Sequence, residues 1–177
     1  MSHAHHEWLQ APLPAIVVPD ALAPTTWHAL RAEIRSTQLE RCTLLTRGSY
    51  EHGQWLPSAT WVTNLTERAM DLSGQGLRLH SASIVRLCPG DYVYSAADRV
   101  HDDRPFEMIV DLSDAPVPGA SVHYRHRGQH FFSFDSAPMA LCLVQRGPTV
   151  LCNHTYVSLR HRDASVLRLV VTLGLLA

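Results

Sequence analysis

Four side chains have the types and spacing for metal and anion chemistry. His101-Asp102-Asp103-Arg104 supplies an imidazole and a carboxylate in the order His-x-Asp. Asn153-His154-Thr155 supplies a second imidazole 53 residues after the first, and Arg168 follows 14 residues later within Val166-Leu167-Arg168-Leu169-Val170-Val171. Residues two apart on an extended strand point to the same side, about 6–7 Å apart, so His101 and Asp103 can converge on one ion. Two histidines and one carboxylate on one face of an octahedron leave positions open for a chelating cosubstrate and dioxygen, which suits non-haem Fe(II). Arg168 sits in a run that is apolar on both sides. An unpaired buried charge is costly, so its guanidinium must meet an anion, and its fork matches a carboxylate bidentately. That carboxylate is either a protein group, Asp111 or Glu107, or a bound dicarboxylate.

Other polar clusters carry less. His-x-Asp alone is a weak signal, equally consistent with a charged turn before a strand. His123, Tyr124, Arg125, His126 and His130 form a second group. Strand alternation sends His123 and Arg125 to one face and Tyr124 and His126 to the other, against a three-histidine metal site of the cupin type built from His123, His126 and His130. His3, His5 and His6 read as a flexible terminus. No G-x-S-x-G elbow supports a serine nucleophile.

The elements that must position these residues fall into two regions. Ala15-Ile16-Val17-Val18 reads as a strand. Pro24 opens a helix in which Trp27, Leu30 and Ile34 recur at i, i+3 and i+7. Residues 37–60, punctuated by Gly48, Gly53 and Pro57, read as a long polar loop, either irregular surface or a lid. A second helix spans 64–73, capped by Asn64 or Thr66 and ended by Gly74 and Gly76. From Leu77 the chain consists of short strand-like runs at 77–87, 106–112, 120–125, 130–134, 139–144, 148–152, 154–160 and 165–176. Phe106, Met108, Val110 and Leu112 alternate with Glu107, Ile109 and Asp111, as in a strand with one buried face. Helices followed by about eight short strands predict a mainly β fold, an antiparallel double-sheet jelly roll with the helices packed outside one sheet.

Bulk composition bounds the function. At 177 residues, 46% hydrophobic and 18% charged, the chain reads as one globular domain over 1–177, with 1–12 flexible, an N-terminal part over 13–76 and a β core over 77–177. A net charge of −1 makes no electrostatic case for nucleic acid. No apolar run approaches the ~20 residues that a membrane-spanning helix needs, and the first residues lack the features of a signal peptide. Cys42, Cys88, Cys142 and Cys152 are widely spaced, so they read as buried thiols in a reducing cytoplasm. Composition is silent on oligomeric state.

The chain also resembles the 2-oxoglutarate- and Fe(II)-dependent oxygenases, specifically the small prolyl-4-hydroxylase-like group. The residues that carry the resemblance run in family order: Ile16 to Pro24, Arg86-Leu87-Cys88-Pro89-Gly90-Asp91-Tyr92, His101-x-Asp103, Met108 to Ser113, Gly119-Ala120-Ser121-Val122, His154 and Arg168. The resemblance implies a double-stranded β-helix (a cupin-like jelly roll). It implies Fe(II) held by His101, Asp103 and His154, with Arg168 pairing the distal carboxylate of 2-oxoglutarate and Tyr92 hydrogen-bonding that cosubstrate. Dioxygen would be the other cosubstrate. Related halogenases have a small residue at the carboxylate position, so Asp103 argues for hydroxylation or desaturation, here of a small molecule such as an amino acid or biosynthetic intermediate. Three departures stand out. The family's His-x-Asp usually comes about six residues after the Gly-Asp turn, where this chain has Ala96-Ala97-Asp98. In that register the first histidine is missing and the barrel binds a ligand without turnover. The usual Gly-Gly is Gly119-Ala120. The interval from His154 to Arg168 exceeds the usual ten or so residues and lacks the R-x-S pair, which leaves Arg160 and Arg162 as rival anion-binding residues.

Overall fold

The computed structural model describes Trp8 and residues 13–94, 105–146 and 150–176. The described strands are β1 (Ala15–Val18), β2 (Glu40–Leu44), β3 (Gly48–Trp55), β4 (Leu77–Leu87), β5 (Tyr92–Tyr94), β6 (Phe106–Asp111), β7 (Ser121–His126), β8 (Gln129–Asp135), β9 (Leu141–Gln145), β10 (Val150–His154) and β11 (Val166–Leu175). The described helices are α1 (Pro24–Ile34) and α2 (Ala59–Ser73). The strand order is β1-β9-β6-β11-β4-β3-β5-β10-β7-β8, with β2 on β3. Two antiparallel walls, β1-β9-β6-β11-β4 and β5-β10-β7-β8, face each other as a double-stranded β-helix. β3 joins them, pairing Glu51–Trp55 with β4 and Gly48–Ser49 with β5.

Alternation along β11 separates two cores. Leu169, Val171 and Leu173 pack with Trp27, Leu30 and Ile34 of α1 and Trp61, Leu65, Ala69 and Leu72 of α2, so the helices cover the outer face of the first wall. The opposite phase looks between the walls, where Ile109, Val122, Tyr124, Phe134, Cys142, Val150 and Cys152 cluster. Val85, Leu87, Val117, Ala120, Val157 and Val166 form a third cluster nearer the start of β11. β6 lies at the centre of the wall, between β9 and β11. All six of its residues are buried, not one face alone, because the helices cover one side and the second wall the other.

The stretch 37–60 is a hairpin, not a loop. Its strands escaped the periodicity reading because β2 is exposed or half-buried on both faces, which removes the apolar alternation. Gly48 is obligatory at its turn. Its φ is +110°, and a Cβ there would fall 2.0 Å from the Tyr92 carbonyl oxygen. α2 begins at Ala59, five residues before the expected start, with Ser58 as N-cap. Asn64 and Thr66 lie inside it, while Trp61, Leu65, Ala69 and Leu72 carry the helical spacing. The expected strand over 154–160 is absent. His154 ends β10, and the chain then turns through 155–165. No cysteine is disulfide-bonded: Cys142 and Cys152 are buried, whereas Cys42 and Cys88 are half-buried.

Candidate active site between the two walls

His154 ends β10 directly opposite Val122 of β7 and Val93 of β5. Paired residues share a face, and Val122 belongs to the inter-wall core, so the imidazole points inward, 9% exposed. Arg168 lies on β11 between Asp111 and Val85, in the inward phase, and is fully buried. The fold thus brings two of the four candidate side chains together. Arg168 Nη1 lies 2.8 Å from His154 Nδ1, and Arg168 Nη2 donates to the Ala120 carbonyl at 3.1 Å.

The two protein carboxylates that could pair with Arg168 are engaged elsewhere. Glu107 accepts from Tyr124 Oη at 2.7 Å and from Arg146 Nη1 at 2.5 Å. Asp111 flanks Arg168 in the ladder, but its Oδ1 accepts the Ser113 N–H at 2.8 Å and its Oδ2 the Ala137 N–H at 2.7 Å. Asp111 supports the guanidinium's charge through space without hydrogen bonding to it. Arg168 Nε has no partner among the described residues.

Burial pushes the His154 pKa well below the ordinary histidine value, and the positive charges of Arg168 and Arg146 push it further. The imidazole is therefore neutral, the form that ligates a metal. The donor chemistry suits a divalent metal at the neutral, inward imidazole and a carboxylate at the guanidinium.

The other candidates sort by position. His101 and Asp103 lie outside the described residues, as does Ala96-Ala97-Asp98. Tyr92 is on the face opposite His154, because Val93 is the residue paired with that histidine. It is 36% exposed, with its ring 6.5 Å from that of Tyr156, so the fold does not bring it to Arg168. Arg160 and Arg162 are exposed in the 155–165 turns. The rings of His123 and His130 meet edge-on at 5.2 Å, and among the described residues no three His, Cys, Asp or Glu side chains are placed to hold a metal.

One cluster escaped the sequence reading. Asp91, in the Gly90-Asp91 turn, is 1% exposed. It accepts from Arg41 Nη1 at 2.7 Å and Nη2 at 2.5 Å, from Ser49 Oγ at 2.8 Å and from the Cys88 N–H at 2.9 Å. This clasp ties the β2–β3 hairpin to the turn entering β5. Its cation, Arg41, lies in the stretch without periodicity, so only the Gly-Asp turn hinted at it. Thr155 secures the other side of His154. Its N–H donates to the Ser121 carbonyl at 2.9 Å, and its hydroxyl accepts the Ser121 N–H at 2.7 Å.

Comparison with known proteins bears on the fold. No family model matches the sequence, and no curated protein does. Solved structures do match. A Pseudomonas putida prolyl-4-hydroxylase superposes with a TM-score of 0.75 at 14% identity, covering 99% of this chain and 100% of that one. An oxidoreductase of the 2OG-Fe(II) oxygenase family from Burkholderia pseudomallei gives 0.71 at 15% identity, covering 90% and 85%. HygX from Streptomyces hygroscopicus, solved with nickel, 2-oxoglutarate and hygromycin B bound, gives 0.66 at 13% identity, covering 98% and 87%. The architecture is that of the 2-oxoglutarate oxygenases. No helix among the described residues is long and apolar enough to cross a membrane.

Proposed function

We propose that this chain is a 2-oxoglutarate- and Fe(II)-dependent oxygenase that hydroxylates or desaturates a C–H bond of a small molecule. The observation that carries the reading is the Arg168 guanidinium. It is fully buried between the walls, and both candidate protein carboxylates, Asp111 beside it in the ladder and Glu107 four residues earlier on β6, are committed to other donors. A cation in that position calls for an anion delivered from outside, and the distal carboxylate of 2-oxoglutarate matches its fork.

In this reading His154, His101 and Asp103 hold the metal and Arg168 anchors the cosubstrate. Fe(II) with 2-oxoglutarate and dioxygen would supply the oxidising chemistry. The chain's own contribution is positional. Burial keeps His154 neutral, its strand partners fix its inward direction, and Asp111 holds a negative charge beside the arginine without occupying its donors. Ile109, Val122, Val150, Cys152 and Val170 of β6, β7, β10 and β11 pack in the same inter-wall space. A carbocyclase and an epimerase of nogalamycin biosynthesis and the hygromycin B-bound HygX share this fold, which supports a small-molecule substrate here.

The test is 2-oxoglutarate-dependent succinate formation by the anaerobically Fe(II)-loaded protein on exposure to oxygen, beside titration of the Fe(II)-dependent 2-oxoglutarate chromophore. Succinate that disappears in His154→Ala and in Arg168→Met is expected. Neither succinate nor chromophore would overturn the oxygenase reading and leave a ligand-binding barrel. A chromophore that persists in His101→Ala and Asp103→Ala would move the metal site elsewhere.

A further inference from the structure

The β2–β3 hairpin extends the inward face of the first wall. Register places Glu40 of β2 opposite His52 of β3, His52 opposite Val85 of β4, and Val85 opposite Arg168 of β11. Paired residues share a face, so these four form one row across four strands, with the Arg168–His154 contact at its inner end. At about 4.8 Å per strand the row spans about 14 Å along the backbone. The next row on the same face starts with Gln54 opposite Ser83, which is opposite Val170.

The face is closed at one end and open at the other. Val85 and Arg168 are buried, His52 and Ser83 half-buried, and Glu40 and Gln54 exposed. The open end is polar, and its hydrogen-bonding capacity is unspent. Among the described residues the side chains of Glu40, His52, Gln54 and Ser83 have no hydrogen-bond or ion-pair partner. His52 meets the Tyr50 ring edge-on, 6.3 Å between centroids. The nearby guanidinium groups sit in the opposite phase of the ladder, where Asp91 holds Arg41 and Glu51 holds Arg86. Of the residues that β2 and β3 turn to the inward face, Glu40 alone carries a fixed charge. The row therefore runs from a carboxylate at its open end to a guanidinium at its closed end.

We propose that this row selects the substrate of the inter-wall site, a small molecule bearing a primary amine. Its ammonium group donates to Glu40 in a charge-assisted hydrogen bond, and its polar body exchanges hydrogen bonds with His52, Gln54 and Ser83. The length of the row places the reacting carbon several bonds from the amine, toward Arg168 and His154. Reaction at the inner end rests on the oxygenase reading, whereas recognition of the amine at the outer end is measurable without it.

The experiment is an NMR titration of the histidine-labelled full chain with trans-4-aminocyclohexanol, with trans-1,4-cyclohexanediol as the uncharged control. The amine is expected to shift the His52 ring signals saturably. The diol should bind about fivefold more weakly, and the exposed Glu40→Gln substitution should weaken the amine by about the same factor, the scale of a partly exposed charge-assisted contact. Three outcomes overturn the proposal: no shift at His52, equal affinity for amine and diol, or an amine affinity unchanged in Glu40→Gln with the spectrum otherwise intact. Parallel measurement of 2-oxoglutarate-dependent succinate separates the two readings. Succinate without amine binding overturns this inference alone. Amine binding that depends on Glu40, with neither succinate nor chromophore, overturns the oxygenase reading and leaves the row as the amine site of a ligand-binding barrel.

Discussion

Replacing Arg168 with methionine separates its two possible roles, because they predict opposite effects on stability. If the guanidinium awaits a cosubstrate carboxylate, it stands in the ligand-free protein as a buried cation without a hydrogen-bonded carboxylate. Exchange of a poorly compensated buried charge for an apolar side chain of similar length is commonly neutral or stabilising. Removing one member of a true buried ion pair instead costs about 3–5 kcal/mol. For binding the sign reverses. Two charge-assisted hydrogen bonds at about 1.5–3 kcal/mol each come to about 3–6 kcal/mol, or roughly two to four orders of magnitude in affinity. The contacts to His154 and Ala120 surrendered on binding favour the lower end. Thermal unfolding of the metal-free protein should therefore show Arg168→Met at least as stable as the parent. Anaerobic 2-oxoglutarate titration of the Fe(II) form should show a loss of about a hundredfold or more. Unchanged 2-oxoglutarate affinity, or an unfolding free energy lower by about 3 kcal/mol or more, would refute the reasoning and make Arg168 a structural cation.

Three further outcomes are expected. His154→Ala should abolish stoichiometric Fe(II) loading, measured by anaerobic dialysis and metal analysis, while near-native circular dichroism shows that the fold survives. Gly48→Ala should destabilise the protein by about 2 kcal/mol or more in denaturant unfolding, since it places a side chain at φ +110° and against the Tyr92 carbonyl. Burial alone would raise the Asp91 pKa, but hydrogen bonds from Arg41, the Cys88 N–H and Ser49 outweigh it and the net shift is downward. A carboxylate depressed in the folded state contributes stability above its unfolded pKa of about 3.9, and loses it as pH falls through the folded value. Acidification from pH 5 should therefore destabilise the parent more steeply than Asp91→Asn, as read by unfolding midpoints across that range.

Legibility in the sequence followed apolar contrast. β11 could be read because both of its faces are covered, and Arg168 stood out there as the one charge in an apolar run. α1 announced itself through Pro24 and the Trp27, Leu30, Ile34 spacing. β2 and β3 were invisible for the opposite reason: Glu40, Arg41, Glu51 and His52 are borne on faces that solvent reaches, so no pattern marks a strand held by its backbone ladder. β5 is three residues long and half-exposed, too short for any period to show. The start of α2 was hidden because Asn64 and Thr66, good capping residues in isolation, lie inside the helix. Within the site, the meeting of His154 with Arg168 could be anticipated only as a convergence of residue types. That Asp111 and Glu107 are spent on Ser113, Ala137, Tyr124 and Arg146 depends on long-range contacts that no local spacing records.

The interval between His154 and Arg168 has a consequence for how such a chain tolerates change. β11 is held by ten paired residues on β4 and six on β6, so its phase is set by its flanking strands and not by the length of the 155–165 turns. Residues can be added to or removed from that connection without turning the guanidinium outward. A single-residue insertion between Arg168 and Leu169 would instead, with the longer C-terminal part of the ladder holding, move the cation to the outward position of Leu167 and put the inserted residue in its place. What selection must preserve here is parity along the strand, and distance along the chain is free to drift.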